Sequence, residues 1–157
     1  MPNISINRKL HDKLIDLLST ITITNGYNNT VQKVTKRFID LRKCASFPII
    51  MVERGTWSRT WDDESRQLYK TTATFGILGY VKTDSDTDDI GLLTEAKDAF
   101  EQDIEDCLLN SVNSLIAVDD GVQTVLTANG DPLLDDEERM GTIFFTLVIE
   151  YIHEANV

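Results

Sequence analysis

The sequence has few of the residues that define specialised folds. Of its 157 residues, two are cysteine, three are proline and eight are glycine. Two widely spaced cysteines, Cys44 and Cys107, are too few for a disulfide scaffold or a four-ligand zinc cluster, so we expect both to be reduced. Low proline and glycine exclude a collagen-like chain, and 41% hydrophobic residues exclude a wholly disordered one.

Long apolar runs are also missing. No stretch approaches the roughly 20 apolar residues of a membrane-spanning helix, and the polar residues 1–8 lack the apolar segment of a signal peptide. We therefore expect an intracellular protein that does not contact a membrane. Its length predicts one domain over residues 1–157, because domains commonly have about 100 to 200 residues.

Positive charge is scarce and unevenly placed. The net charge is −11, from 26 acidic and 15 basic residues. Residues 1–82 hold 13 Lys and Arg against 7 Asp and Glu, a net +6, whereas residues 83–157 hold 2 against 19, a net −17. This asymmetry predicts a dipolar surface that orders copies head to tail or repels a polyanion. Charge alone is equally compatible with acidic loops that keep the protein soluble.

Hydrophobic periodicity predicts the fold class. Spacings of three and four predict a helix between Ser5 and Ser19, with Ser5 or Asn7 as its N-cap, and a helix of about 24 residues ending near Leu115. Residues 31–41 suit either a short helix or a strand. Further strands are predicted at 47–54, 69–81, 122–127 and 143–152. This order predicts an α+β fold: a mostly antiparallel sheet of about four strands, covered on one face by two main helices.

Two acidic clusters could be mistaken for cation sites. Residues 84–95 carry carboxylates at several EF-hand positions, but Asp89 stands where that loop needs Gly, and a strand precedes it, so we predict no calcium site. Residues 131–138 have no nearby Lys or His to complete a hydrolytic site, and we expect a solvated hairpin loop there. His11 and His153 have no local ligand or catalytic partner, so both are predicted to be surface residues.

A nucleotide-binding glycine loop is not present either. Gly76 and Gly79 lie inside a predicted strand, where glycine more often marks a twist or a close backbone approach. We therefore predict no catalytic residue, no bound metal and no cofactor, and hence a protein that is not an enzyme.

Residues 54–66 form the segment that packing explains least well. They hold two Trp and three Arg, and all but Arg54 lie in what we predict to be a long loop, Gly55 to Arg66. These residue types are enriched at the centres of protein interfaces. One alternative is that the Trp rings fold onto their own domain. Another is nucleic-acid stacking, which the interleaved acids and the negative net charge disfavour. The predicted partner-binding residues are Arg54, Trp57, Arg59, Trp61 and Arg66.

The whole order of elements carries a family resemblance. It consists of the amphipathic first helix, the strand 47–52, a long second strand ending at Tyr80 and Val81, an acidic loop leading into the long helix, and the closing strand 145–151. This order resembles the tail-terminator proteins of long-tailed bacteriophages, which include the lambda tail terminator and related minor tail proteins. The family has no catalytic signature, so the resemblance transfers no individual functional residue.

The resemblance implies a structural virion protein of the tail or neck, assembled in the host cytoplasm. It would form a homo-oligomeric ring, hexameric in the family, that caps the tail tube, ends tube growth and joins the tail to the head connector. In contractile-tailed phages, such proteins also contact the sheath. DNA would pass an acidic lumen without specific binding, because like charge opposes it. The alternatives are a small metal-dependent enzyme using the acidic clusters, and a monomeric intracellular adaptor module.

Overall fold

The structure, a computed structural model, describes residues 5–37, 39–83, 90–129, 133–135 and 140–154. Its helices are α1 (Ile6–Leu18), α2 (Ile90–Asn110) and α3 (Val112–Ile116). Its strands are β1 (Lys33–Thr35), β2 (Ile49–Asp63), β3 (Leu68–Lys82), β4 (Val122–Asn129), β5 (Leu133–Asp135) and β6 (Met140–Glu154).

All six strands belong to one sheet, in the order β1-β2-β3-β6-β4, with β5 also paired to β6. Among the strand pairs of the described residues, β1 and β2 are parallel and the others are antiparallel. The predicted α+β class is therefore confirmed. The sheet has more strands than the four expected, because β1 and β5 have three residues each, which is too short to show a period.

β3 and β6 form the centre of the sheet. They pair without interruption from Leu68 opposite Glu154 to Lys82 opposite Met140. The alternating apolar residues predicted for β3 are confirmed, and its buried odd positions face the helices across the core. The largest fully buried side chains include Phe75, Phe100, Phe145, Leu10, Leu14 and Leu18.

Both main helices were predicted. Ser5 caps α1, because its side-chain oxygen accepts a hydrogen bond from the backbone N–H of Arg8 at 3.2 Å. The second helix differs from the prediction because it is interrupted. At Ser111 the chain leaves α2, while its hydroxyl donates to the carbonyl oxygen of Cys107 at 2.5 Å, and α3 then carries Leu115 into the core. A side chain that bonds back to the preceding turn commonly bends a helix.

Gly79 permits α2 to pack closely on the sheet. A Cβ at this position would lie 2.7 Å from the Cδ1 atom of Ile104 and 3.0 Å from the Cε2 atom of Phe100. The expected close approach at the strand glycines is therefore confirmed here.

The described part of the chain contains no helix long and apolar enough to cross a lipid bilayer. Cys107 is buried, Cys44 is half-buried, and both are free thiols. Residues 84–89, 130–132 and 136–139 lie outside the described residues, so the predictions for most of the two acidic clusters stay predictions.

Candidate functional site

The predicted loop at Gly55 to Arg66 is wrong: most of this segment is strand. β2 continues to Asp63 and pairs with β3 down to Leu68, and only a 3₁₀ turn at Glu64–Arg66 connects them. The side chain of Asp63 caps this turn by accepting the N–H groups of Ser65 and Arg66 at 3.0 and 3.3 Å. The segment was missed because residues 53–62 of β2 are exposed on both faces, so they have no apolar alternation.

A β-bulge sets which side chains face the same way. The register shifts between Arg54 and Trp57, so that two residues of β2 take the place of one. Gly55 fits this bulge, because a Cβ there would lie 2.5 Å from the hydroxyl oxygen of Thr74. Beyond it, strand alternation puts three side chains on the helix-covered face of the sheet, where the structure pairs Trp57 with Ala73, Arg59 with Thr71 and Trp61 with Tyr69.

These three side chains, Trp57, Arg59 and Trp61, form one surface that we call the Trp–Arg surface. The guanidinium of Arg59 lies 5.1 Å from the ring centroid of Trp57 and 5.4 Å from that of Tyr69. Trp61 stacks on Tyr69 with 4.2 Å between centroids. The two cation–π contacts contribute about 0.5 to 1 kcal/mol each at exposed sites, and the stacked pair contributes about 0.5 to 1.5 kcal/mol. They hold the side chains in place while leaving Trp57 59% and Trp61 50% exposed.

Sequence reasoning missed the residues that support this surface. Tyr69 lies between Trp61 and His153, whose ring centroid is 5.9 Å from its own, so an aromatic row crosses β2, β3 and β6. Only the strand register brings these residues together, and the register of a strand without a buried face is weakly specified by its sequence. No ion pair in the described residues includes Arg59, so its charge is available to a partner.

The other two predicted partner-binding residues lie apart from the Trp–Arg surface. Arg66 is in the turn and pairs with Asp63, with 3.6 Å between Nε and Oδ2. Arg54 lies before the bulge, where its Nε donates to Nδ1 of His11 at 3.2 Å. The structure thus brings three of the five together and places one residue on each side of them.

His11 is buried, so its predicted surface position is wrong. It is 6% exposed, and its Nε2 lies 2.8 Å from the carbonyl oxygen of Val52. A carbonyl only accepts, so Nε2 carries the hydrogen and Nδ1 is free to accept from Arg54. This hydrogen bond joins helix α1 to β2 at Val52, directly before the exposed residues 53–62 of the strand. His153 is half-buried, and its Nδ1 is buried without a hydrogen-bond partner among the described residues.

The environment of His11 favours its neutral form. Burial lowers the pKa of His11 below its ordinary value of 6.5, the hydrogen bond to Val52 opposes this, and the charges of Lys36 and Arg54 lower the pKa further. The unfolded chain therefore binds a proton more readily than the folded chain below pH 6.5, and folding stability falls as the pH falls through that window.

We expect wild-type protein to lose more free energy of unfolding than a His11→Gln variant when the pH drops from about 7.5 to about 5.5. Gln retains an N–H donor for Val52 but does not titrate, and His153 is present in both chains. Urea unfolding at the two pH values measures the difference. Equal losses in the two proteins would contradict the assigned role of His11.

A cleft of about 600 Å³ opens beside the Trp–Arg surface. Its lining is mixed in charge, with Arg59 and Lys9 facing Asp119, whose carboxylate lies 3.3 Å from the Lys9 ammonium. Tyr151 contributes a hydroxyl that donates to Asn7 at 3.0 Å. Within the described ranges, no three His, Cys, Asp or Glu side chains are grouped to hold a metal ion.

Comparisons with known proteins find similarity among solved structures. No protein-family model and no curated protein matches the chain. Among solved structures, it is similar to the PVC sheath/tube terminator of an extracellular contractile injection system in the extended state, at 9% sequence identity and a TM-score of 0.45. The match covers 99% of this chain and 59% of that chain, so this chain spans about three fifths of the length of the protein it matches.

Proposed function

We propose that this protein is a structural subunit that assembles into a homo-oligomeric ring at the end of a phage-like tail tube. There it ends tube growth and offers a surface to the head connector and, where the tail is contractile, to the sheath. The observation that carries an assembly function is the Trp–Arg surface, with both indole rings at least half exposed. We propose a tail tube as the site of assembly because the order of elements along the chain resembles that of tail terminators.

The Trp–Arg surface has the properties of an interface centre. Burying an indole ring at an interface contributes favourable binding free energy, and Trp and Arg are among the residue types that most often dominate binding energy. Here the Trp61 ring and the Arg59 guanidinium are already ordered against Tyr69, and the guanidinium also lies over the Trp57 ring. Binding therefore loses less side-chain entropy. A partner that brings a carboxylate to Arg59 and apolar groups to the two rings would fit this surface.

Arg54 and Arg66, which lie outside the Trp–Arg surface, have different proposed roles. Arg66, in the turn, is 76% exposed and extends the contact at the rim. Arg54 contacts the partner beside the bulge and also positions β2 through His11. We propose that the lumen of the ring is acidic, because like charge lets DNA pass without being held.

Sizing the purified protein tests this proposal. We expect light scattering to give an oligomer and electron microscopy to show rings, either of the protein alone or on added tail tubes. Tubes grown with the protein should stop at a uniform length. A protein that stays monomeric at high concentration and does not bind tail tubes would contradict the proposal. That result would favour the monomeric adaptor, which could use the same Trp–Arg surface.

A further inference from the structure

One face of α2 is acidic and exposed. Successive helical residues are separated by about 100°, and the exposed residues of α2 fall within an arc of about 140°. We call this the acidic face; it contains Leu92, Glu95, Asp98, Glu105, Asp106 and Leu109. Lys97 pairs with Asp98 at 3.6 Å, whereas Glu95, Glu105 and Asp106 belong to no ion pair among the described residues. Two exposed leucines, 45% and 56% accessible, flank these carboxylates.

The opposite charge is concentrated at one edge of the sheet. We call residues 33–37 and 39–43 the basic edge; they begin with β1 and end with the 3₁₀ turn Leu41–Lys43. They hold five cations and a single acid, Asp40, whose carboxylate is used to cap the turn at the N–H of Arg42. All five cations are exposed: Lys33, Lys36, Arg37, Arg42 and Lys43. Lys36 pairs with Asp12, and no described ion pair includes the other four.

The two surfaces do not neutralise each other within one molecule. β1 is the outermost strand on its side of the sheet, whereas α2 packs over β3 and β6. No described ion pair joins the basic edge to α2. Two complementary surfaces at different places on one chain favour a head-to-tail contact between copies, which closes into a ring when the rotation permits.

We propose that the basic edge of one subunit binds the acidic face of α2 in a second copy of this chain. This rests on the proposed ring and names the surfaces by which its subunits join. Arg37 and Arg42 would meet Glu95 and Glu105, and the exposed leucines would pack at the ends of the contact. Because the attraction is largely electrostatic, added salt weakens it.

Charge reversal tests the contact in both directions. The first variant carries Arg37→Glu and Arg42→Glu, and the second carries Glu95→Lys and Glu105→Lys. We expect each alone to assemble at least about a hundredfold more weakly than wild type, because like charges then face each other. An equimolar mixture should assemble again, since each variant complements the other. A single chain carrying all four changes should also assemble, at the wild-type net charge.

Asp16→Lys with Asp120→Lys is the matched control. Both residues are exposed, lie outside the two surfaces and belong to no described ion pair, and the pair changes net charge as much as the Lys variant of α2 does. We expect it to assemble normally. Circular dichroism confirms folding, and light scattering with and without tail tubes measures assembly.

Two results would overturn this inference: separate variants that assemble like wild type, or a mixture and a four-change chain that both stay monomeric although folded. If wild type forms rings in either case, the proposed function survives and only the assigned contact fails. A wild-type protein that stays monomeric and does not bind tail tubes would overturn both the assigned contact and the proposed function.

Discussion

Replacing Asp103 with Ala will destabilise the fold by about 2 to 3 kcal/mol. Asp103 is 1% exposed on α2, and its carboxylate accepts four hydrogen bonds. Oδ1 takes the backbone and side-chain N–H groups of Asn28 at 2.8 and 3.0 Å, and Oδ2 takes those of Asn29 at 2.9 Å each. Truncation leaves these donors without their charged acceptor, and only those near solvent regain water.

The exposed Asp106, three residues further along α2, gives the matched control. Asp106→Ala should change the free energy of unfolding by no more than about 0.5 kcal/mol, because surface substitutions generally have small effects. Asp103→Asn keeps one acceptor oxygen and should fall between the two. Thermal melting measures the series, with Asp103→Ala lowering Tm by roughly 5 to 10 °C. Equal melting temperatures for the two Ala variants would contradict the role of Asp103.

The burial of Asp103 and its hydrogen-bond partners could not be predicted from the sequence. Its position in the second helix was predictable from the apolar stripe, but its partners lie about 75 residues earlier. The same holds for His11, whose burial depends on the carbonyl of Val52 in β2. Polar side chains that bond across the fold leave no periodic signal, so a residue with such a partner looks like a surface residue.

Elements with one buried face were the ones predicted well. α1 and α2 each bury a stripe, and β3 alternates between buried and half-buried positions. Residues 53–62 of β2 have no buried side, so the apolar pattern that identifies strands is missing. A weaker signal was present, since Trp57, Arg59 and Trp61 alternate with Ser58 and Thr60. Reading this period of two, together with the high strand propensity of Trp and Thr, would have predicted the strand.

The register of this strand changes how the partner-binding prediction is understood. A loop would present five large side chains independently, whereas the strand presents three of them as one ordered surface supported by Tyr69. The five residues remain a prediction, but they now differ in expected importance. Trp57, Arg59 and Trp61 should matter most, because central ordered residues dominate binding energy more often than rim residues do.

The double variant Trp57→Ala, Trp61→Ala is therefore expected to remain folded and to lose assembly. Trp61 gives up its stacking on Tyr69, which is worth about 0.5 to 1.5 kcal/mol, so Tm should fall by a few degrees at most. At an interface, each truncation should cost about 2 kcal/mol or more of binding free energy.

Ser58→Ala with Thr60→Ala, on the opposite face of the same strand, should leave both stability and assembly unchanged. Electron microscopy of ring formation and of binding to tail tubes, together with melting curves, measures both effects. A melting temperature that collapses would assign the indoles to the core, at about 3 to 5 kcal/mol each, and normal melting with normal assembly would remove the proposed role of the Trp–Arg surface.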